Sequence, residues 1–338
     1  MGGKRLKLAR LMMAMGLRDL WSRGSPATLL VLNYHRVWAP GQTSTEFDDG
    51  VYDVEFDIFC RQMEWLRSST EVLNEPELLD LVAGRRIPRG ELLSAVTFDD
   101  GYVDCFSLVK PVLDSLGIRA IFFIPVDILN SRRLGWWDIA AYLLKKSKHP
   151  RVNVRGKPYD LGPTLQESLR RILEIFKLEP AEKTNTLLTE IAAACNVEPP
   201  SADRQSAELM TWEQVANLRD ANHAIGSHAF SHRTLATLTA DEQAHEIHGS
   251  RVELQRVLGG EIRSFAYPVG GPRHFNETSV SLVRMAGYEQ AFSFNTGIAG
   301  LPITDRYRIA RESAKSFDLL KAKILLPGLM GLRSKSAA

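Results

Sequence analysis

The chain has 338 residues, 44% of them hydrophobic and 24% charged, enough to bury a sizeable core in one large domain or two ordinary ones. A formal net charge of +2, with no long basic run interleaved with aromatics, excludes a general nucleic-acid binder. Cys60, Cys105 and Cys195 are too few and too far apart for a disulfide framework or a paired-cysteine zinc knuckle, so a reducing cytosol is the simplest compartment.

The chain opens on a basic and apolar stretch, 4–21, whose run Leu11-Met12-Met13-Ala14-Met15 is short and is interrupted by Arg18-Asp19 before any small-residue cleavage site. Strands are expected at 28–37, 92–98, 120–126, 223–227, 263–267, 290–294 and 307–310, from short β-branched or apolar runs. Between them lie helical patterns with readable ends. Phe59, Met63 and Leu66 recur at helical spacing; 102–116 stops at Gly117; Thr239 to Glu242 is a capping box whose helix stops at Gly259-Gly260; and 276–286 stops at Gly287. From 131 to 207 the rhythm changes to long helical stretches around 165–176 and 181–194, closed by Pro199-Pro200. Strand and helix in alternation imply parallel pairing with helices outside. The expected fold is therefore α/β, a distorted barrel of the (β/α)7 type spanning 28–312, with a helical insertion at 131–207 that lids or flanks the site. The segments 1–27 and 313–338 flank it. The second is again basic and apolar from 319 to 333, and two such ends could rest on an anionic membrane surface or pack locally. No window reaches the ~20 apolar residues of a membrane-spanning helix.

Two short stretches carry chemistry. Val96-Thr97-Phe98-Asp99-Asp100-Gly101 is an apolar strand ending in paired carboxylates, and His228-Ala229-Phe230-Ser231-His232 follows the next strand but one. In parallel α/β folds the residues just past strand C-termini line the active face. Successive side chains there point in different directions, so one carboxylate can ligate a cation while its neighbour acts as base. Histidines at i and i+4 come to the same side on a helical turn. One carboxylate and two imidazoles suit Zn²⁺ or a similar divalent ion with positions left open. Each element alone is ordinarily a turn or surface decoration; together, at strand ends, they argue for a metal site.

These residues resemble the polysaccharide deacetylases of carbohydrate esterase family 4, the NodB-homology domain. Thr97 to Gly101 is similar to the first motif of that family, His228 to His232 to the second, and Phe265-Ala266-Tyr267-Pro268-Val269-Gly270 to the third. The resemblance implies that Asp99 is the general base, that Asp100, His228 and His232 hold a divalent metal, Zn²⁺ in the first instance, and that the backbone N–H of Val269 steadies the oxyanion. The family ordinarily takes its acid from a histidine near the C-terminal end, and none follows Arg311. The chain is similar instead to the circularly permuted deacetylases of exopolysaccharide biosynthesis, in which the acid-bearing strand comes first; this implies His35, in Leu32-Asn33-Tyr34-His35, as the acid, with His274 in reserve. His245 and His248 read as solvated, and His149 and His223 as lacking companions.

The chain departs from the pattern where Ala266 replaces an arginine that tunes the base and Ala229 replaces a Ser or Thr, leaving rate and substrate preference open. Tyr267, Pro268, Trp136 and Trp137 are candidate substrate contacts, the aromatics serving as a sugar platform or as core. The implied activity is N-deacetylation of an N-acetylated glycan or its lipid-linked precursor, expected in the cytoplasm at the inner face of the cell membrane. Hydrolysis of small non-sugar amides and a catalytically weak glycan-binding protein are the alternatives.

Overall fold

The structure, a computed structural model, describes residues 27–86, 88, 92–313 and 315; the expected basic and apolar ends at 4–21 and 319–333 lie outside them. Six parallel strands follow one another around the sheet: β1 (Thr28–Tyr34), β2 (Leu92–Phe98), β3 (Ile121–Ile124), β4 (Ala224–Ser227), β5 (Ser264–Ala266) and β6 (Gln290–Ser293). Closure comes from one short segment. β7 (Ile309–Ala310) pairs in parallel with β6, and one residue later β8 (Glu312–Ser313) pairs in parallel with β1, so the chain crosses from the last edge to the first with Arg311 at the crossing. The result is the distorted α/β barrel, nearly closed, that the alternation of elements predicts.

Side-chain alternation sorts the strands into two faces. Leu30, Leu32, Val96, Phe98 and Phe122 face the surrounding helices within the larger apolar cluster. Leu29, Val31, Leu93, Ala95, Ile121, Phe123, Ala266, Phe292 and Ile309 form a separate cluster inside the barrel. Burial on both faces is why these strands read as continuous apolar runs rather than as alternating ones. Continuing the inner row by steps of two toward the strand C-termini gives Asn33, Thr97, Asp99 and Arg311, all buried and polar. The barrel interior is thus mainly apolar below its mouth, apart from Ser264 and Gln290 near the strand starts, and polar at the mouth.

The first expected strand, 28–37, ends early. β1 stops at Tyr34, and Arg36–Trp38 pairs instead with Tyr52–Glu55 in a separate two-stranded sheet, which leaves His35 at the break. The stretch 131–207 carries helices Trp136–Lys146, Leu165–Leu178, Thr184–Cys195 and Ala202–Ser206 outside the barrel. It is not wholly helical. Arg151–Val154 and Lys157–Asp160 form an antiparallel hairpin, with Val152, Val154 and Tyr159 buried, across a turn in which Arg155 and Gly156 both take positive φ. The capping box holds: Thr239 accepts from the Glu242 N–H, and Glu242 accepts from that of Thr239. Its helix runs Ala240–Ala244, then a π-helical turn His245–Gly249, then Ser250–Leu258 to the positive-φ Gly259. The helix expected over 102–116 is likewise broken, into a π-helical turn Cys105–Val109 and the helix Lys110–Ser115. Among the described residues no helix is long and apolar enough to cross a membrane.

Candidate metal centre

β2 delivers Asp99 and Asp100 to the barrel mouth, and the backbone then turns sharply, Asp100 at φ 74° and Gly101 at φ 73°. A side chain at Gly101 would meet Leu129 Cδ1 at 2.7 Å, so the Asp-Asp-Gly turn needs glycine for conformation and for space. The turn sends the two carboxylates apart. Asp100 Oδ1 lies 3.6 Å from His228 Nε2 and 3.3 Å from His232 Nε2. One ligand atom from each of these three buried residues falls within 4.8 Å of the other two.

The two histidines reach this point differently from the expected helical turn. Residues 228–232 form an irregular loop in which Ala229 and His232 take φ 63° and 56°. Its fold is held from outside: the Val126 and Asp127 N–H groups donate to the Ala229 and Phe230 carbonyls, and buried Glu246 accepts from both the Ser231 N–H, at 2.8 Å, and the Ser231 hydroxyl. Ala229, where the family motif has a hydroxyl, is fully buried. His228 Nδ1 sits 2.8 Å from the Ala266 carbonyl, which fixes its proton there and leaves Nε2 as a lone pair. His232 Nδ1 finds no hydrogen-bond partner, and its ring packs instead on Trp137, centroids 4.5 Å apart.

The donor set fits a divalent ion of zinc type on its own chemistry. Asp100 Oδ1 is buried without a hydrogen-bond partner while aimed at two Nε2 atoms, an arrangement that is costly unless a cation meets it. Burial, the neighbouring Asp99 and Asp138 push the Asp100 carboxyl up to about 7 against the opposing His35 and Arg311. Burial pushes His228 down to about 4 and His232 well below the ordinary imidazole value, so both are neutral and able to ligate at pH 7.

Asp99 borders this trio, with Oδ2 3.7 Å from His228 Nε2, but its carboxylate is held by other partners. Burial alone would raise its carboxyl, but Arg311, His228 and His35 together hold it well below the usual carboxylate range. Arg311 makes a two-pronged contact, Nη1 to Oδ1 and Nη2 to Oδ2, each 2.8 Å, and Asn33 adds a bond at 3.2 Å. This answers the loss of the arginine at Ala266. The guanidinium that grips the base enters from the closing segment between β7 and β8, beside β1, and lies over the Phe123 ring, 5.5 Å from its centroid. The sequence carries a signal for it: Ile309 faces the interior, so Arg311, two residues on, faces the mouth.

His35 lies at the break after β1 with Nε2 4.0 Å from Asp99 Oδ2. Its Nδ1 is 3.5 Å from Asp53 Oδ2, the same oxygen that accepts from the His35 N–H at 2.7 Å. Burial works against its charge, but Asp53, Asp100 and Asp99 outweigh it and raise His35 to about 9. Nothing in the sequence singled out Asp53 or Glu246, since each meets its partner, 18 and 15 residues away, only through the packing of one element on another.

A cleft of about 220 Å³ opens on these groups, and Val269, at φ 60°, and Trp137 line it. Tyr267 also borders it but is fully buried, stacked on Phe275 at 4.0 Å with its hydroxyl on the Tyr307 carbonyl, so it acts as floor. Pro268 and Trp136 do not line this cleft. His274 also lies outside it, with Nδ1 accepting from the Gly271 N–H. His245 and His248 are exposed, as expected, and His149 is exposed as well. His223 corrects its reading as companionless: it is buried, 3.2 Å from Asp114, and accepts from the Ala120 N–H, tying the starts of β3 and β4. Leu173 and Lys177 of helix Leu165–Leu178 border the cleft, so the insertion flanks the site.

No curated protein sequence is similar enough to count as a match. Among solved structures, the deacetylase PplD of Streptococcus pyogenes, in complex with acetate, superposes with a TM-score of 0.56 at 16% identity, over 88% of this chain and 99% of that one. IcaB from Ammonifex degensii gives 0.54 at 18%, over 89% and 100%. The deacetylase domain of BpsB from Bordetella bronchiseptica gives 0.51 at 15%, over 84% and 95%. At these identities the likeness speaks for the fold. Residues 157–291 match the family model described as Polysaccharide deacetylase. The motif residues of β2 and of the loop after β4 gather at one barrel mouth, and over 157–291 the chain is similar to the polysaccharide deacetylase family.

Proposed function

We propose that the protein is a metal-dependent N-deacetylase that removes acetyl groups from N-acetylated sugars of a polysaccharide or its lipid-linked precursor. The observation that carries this reading is the division of labour at the end of β2: Asp100 Oδ1 faces two imidazole nitrogens without a hydrogen bond of its own, while Asp99 is clamped by Arg311 outside that trio. The solved structures that share the fold include proteins described as deacetylases.

Asp100, His228 and His232 would hold a divalent ion, Zn²⁺ in the first instance, which would supply Lewis acidity to the acetamide carbonyl and acidify the attacking water. Asp99, kept ionised and oriented by Arg311, takes a proton from that water as its oxygen bonds to the carbonyl carbon. The Val269 N–H donates to the oxygen that gains negative charge. His35, charged through Asp53, gives its proton to the nitrogen as the C–N bond breaks, and acetate and a free amine leave. Trp137 walls the cleft beside the acetyl group and keeps water from that side.

The test is acetate release from oligomers of N-acetylglucosamine, before and after chelation and after Zn²⁺ is restored. Loss on chelation, recovery with metal and loss in Asp99→Asn are expected. Activity retained in Asp99→Asn removes the base assignment, and activity unchanged in His35→Ala removes the acid.

A further inference from the structure

The two histidines of the trio are held by different means. His228 has a polar support, its Nδ1 on the Ala266 carbonyl at 2.8 Å. His232 Nδ1 is buried without a hydrogen-bond partner, so no polar contact sets the angle of its ring. Its ring neighbours are His228, 4.7 Å away between centroids, and Trp137, 4.5 Å away. An indole wall orients an imidazole only as firmly as the indole is itself held.

Two independent constraints hold that indole. Gly135 caps helix Trp136–Lys146, and a β-carbon there would overlap the Trp137 ring, which folds back over its own chain into the space that glycine leaves. Trp137 Nε1–H donates to the Tyr102 hydroxyl at 2.7 Å, and that hydroxyl donates to Asp138 Oδ2 at 2.6 Å. Asp138 Oδ1 in turn accepts from the Asp48 N–H at 3.0 Å. Tyr102 and Asp138 are fully buried, and each polar atom of this chain meets a partner of the right kind. Trp137 and Asp138 are successive residues in the first turn of the helix, roughly 100° apart around its axis, so a single hydroxyl set between them meets both. Tyr102 follows directly on the Asp100-Gly101 turn that presents the carboxylate ligand.

Resting on the metal-dependent reading above, we propose that Tyr102 and Asp138 are positioning residues that set the ring of His232 through Trp137. The turn that presents Asp100 thereby also anchors the wall that orients His232. Two ligands distant in sequence are set against each other through a side chain of the insertion, which is then part of the metal site and not only its flank. The polar chain ends on the one imidazole of the trio that lacks a polar support of its own.

The test measures Zn²⁺ affinity of the full chain by competition with a chromophoric chelator. Tyr102→Phe deletes a hydroxyl that lies outside the cleft lining, and it is expected to weaken Zn²⁺ binding roughly 10-fold, as is Trp137→Phe. Both changes together are expected to cost less than about 2-fold beyond Trp137→Phe alone, because Tyr102 acts through the indole. Tyr34→Phe is the control. It deletes an equally buried hydroxyl, bonded to Gln62 at 2.7 Å on the helix side of β1, and is expected to leave Zn²⁺ affinity within about 2-fold of the wild type. Gly135→Ala displaces the ring while leaving the polar groups in place, and a similar loss of roughly 10-fold is expected if Tyr102→Phe does not fold. Unchanged affinity in Tyr102→Phe or in Gly135→Ala, additive losses in the double variant, or an equal loss in Tyr34→Phe overturns the proposal. A wild type that binds no Zn²⁺ counts against the metal reading instead. The positioning is then judged in the metal-free protein by the NMR signal of the His232 Cε1–H, identified by its loss in His232→Gln: a shift in Tyr102→Phe, with Trp137 still present, supports it, and an unmoved signal overturns it.

Discussion

Replacing Arg311 by methionine leaves a buried carboxylate facing two imidazoles and one amide. Arg311 and Asp99 are 1% and 2% exposed, and the guanidinium supplies two bonds of 2.8 Å, against one of 3.2 Å from Asn33. Charges about 4 Å apart attract by about 4 kcal/mol at an effective dielectric of about 20, and removing one partner of a buried pair typically costs about 3–5 kcal/mol. The cost depends on pH with a definite sign. In the wild type Asp99 lies below its unfolded value, so the stability it contributes is complete above roughly pH 4 and is lost only as pH falls toward its still lower folded value. Without Arg311, burial dominates and lifts the carboxyl above the unfolded value. The penalty is then full at alkaline pH and shrinks as the acid is protonated on the way down. Urea unfolding followed by tryptophan fluorescence, with chelator present, should show Arg311→Met less stable by about 3–5 kcal/mol at pH 8 and by clearly less at pH 5. Arg311→Lys, which keeps the charge without the fork, should fall between. A deficit under about 1 kcal/mol at pH 8, the level of an exposed pair, or one that is the same at both pH values, refutes the account of Arg311 as the group that compensates Asp99.

Asp100→Asn removes the one anionic donor of the trio, so competition with a chromophoric chelator should show Zn²⁺ binding lost or weakened by well over 10-fold, whereas Asp99→Asn should bind nearly as the wild type. Glu246→Gln weakens the grip on Ser231 that holds the loop, and roughly 10-fold weaker metal binding is expected in the same assay; unchanged affinity would show that the loop holds its left-handed turns unaided. Acetate release should decline on the alkaline side as His35 loses its proton, because Asp53 and the site carboxylates raise it. Asp53→Asn lowers His35, so that limb should move to lower pH by roughly one unit or more; a stationary limb assigns it to another group.

The local chemistry of this protein was legible in its residues. Apolar runs mark the strands because parallel strands are buried on both faces, and the capping box at Thr239, the glycine stops at Gly259 and Gly287, and the motif residues Asp99, Asp100, His228 and His232 follow from rules that act within a few positions. What sequence could not supply were the relations between distant segments. That Arg311 grips Asp99 depends on the barrel closing, while that Asp53 backs His35, that Glu246 clasps the ligand loop and that the insertion flanks the cleft depend on how neighbouring elements pack. Local propensity sets each strand and turn, because its causes lie within a few residues along the backbone. Partners separated by 212 residues, as Asp99 and Arg311 are, are chosen only by the closed sheet, because a short-range force between charges and hydrogen-bonding groups acts only where the fold has brought them into contact.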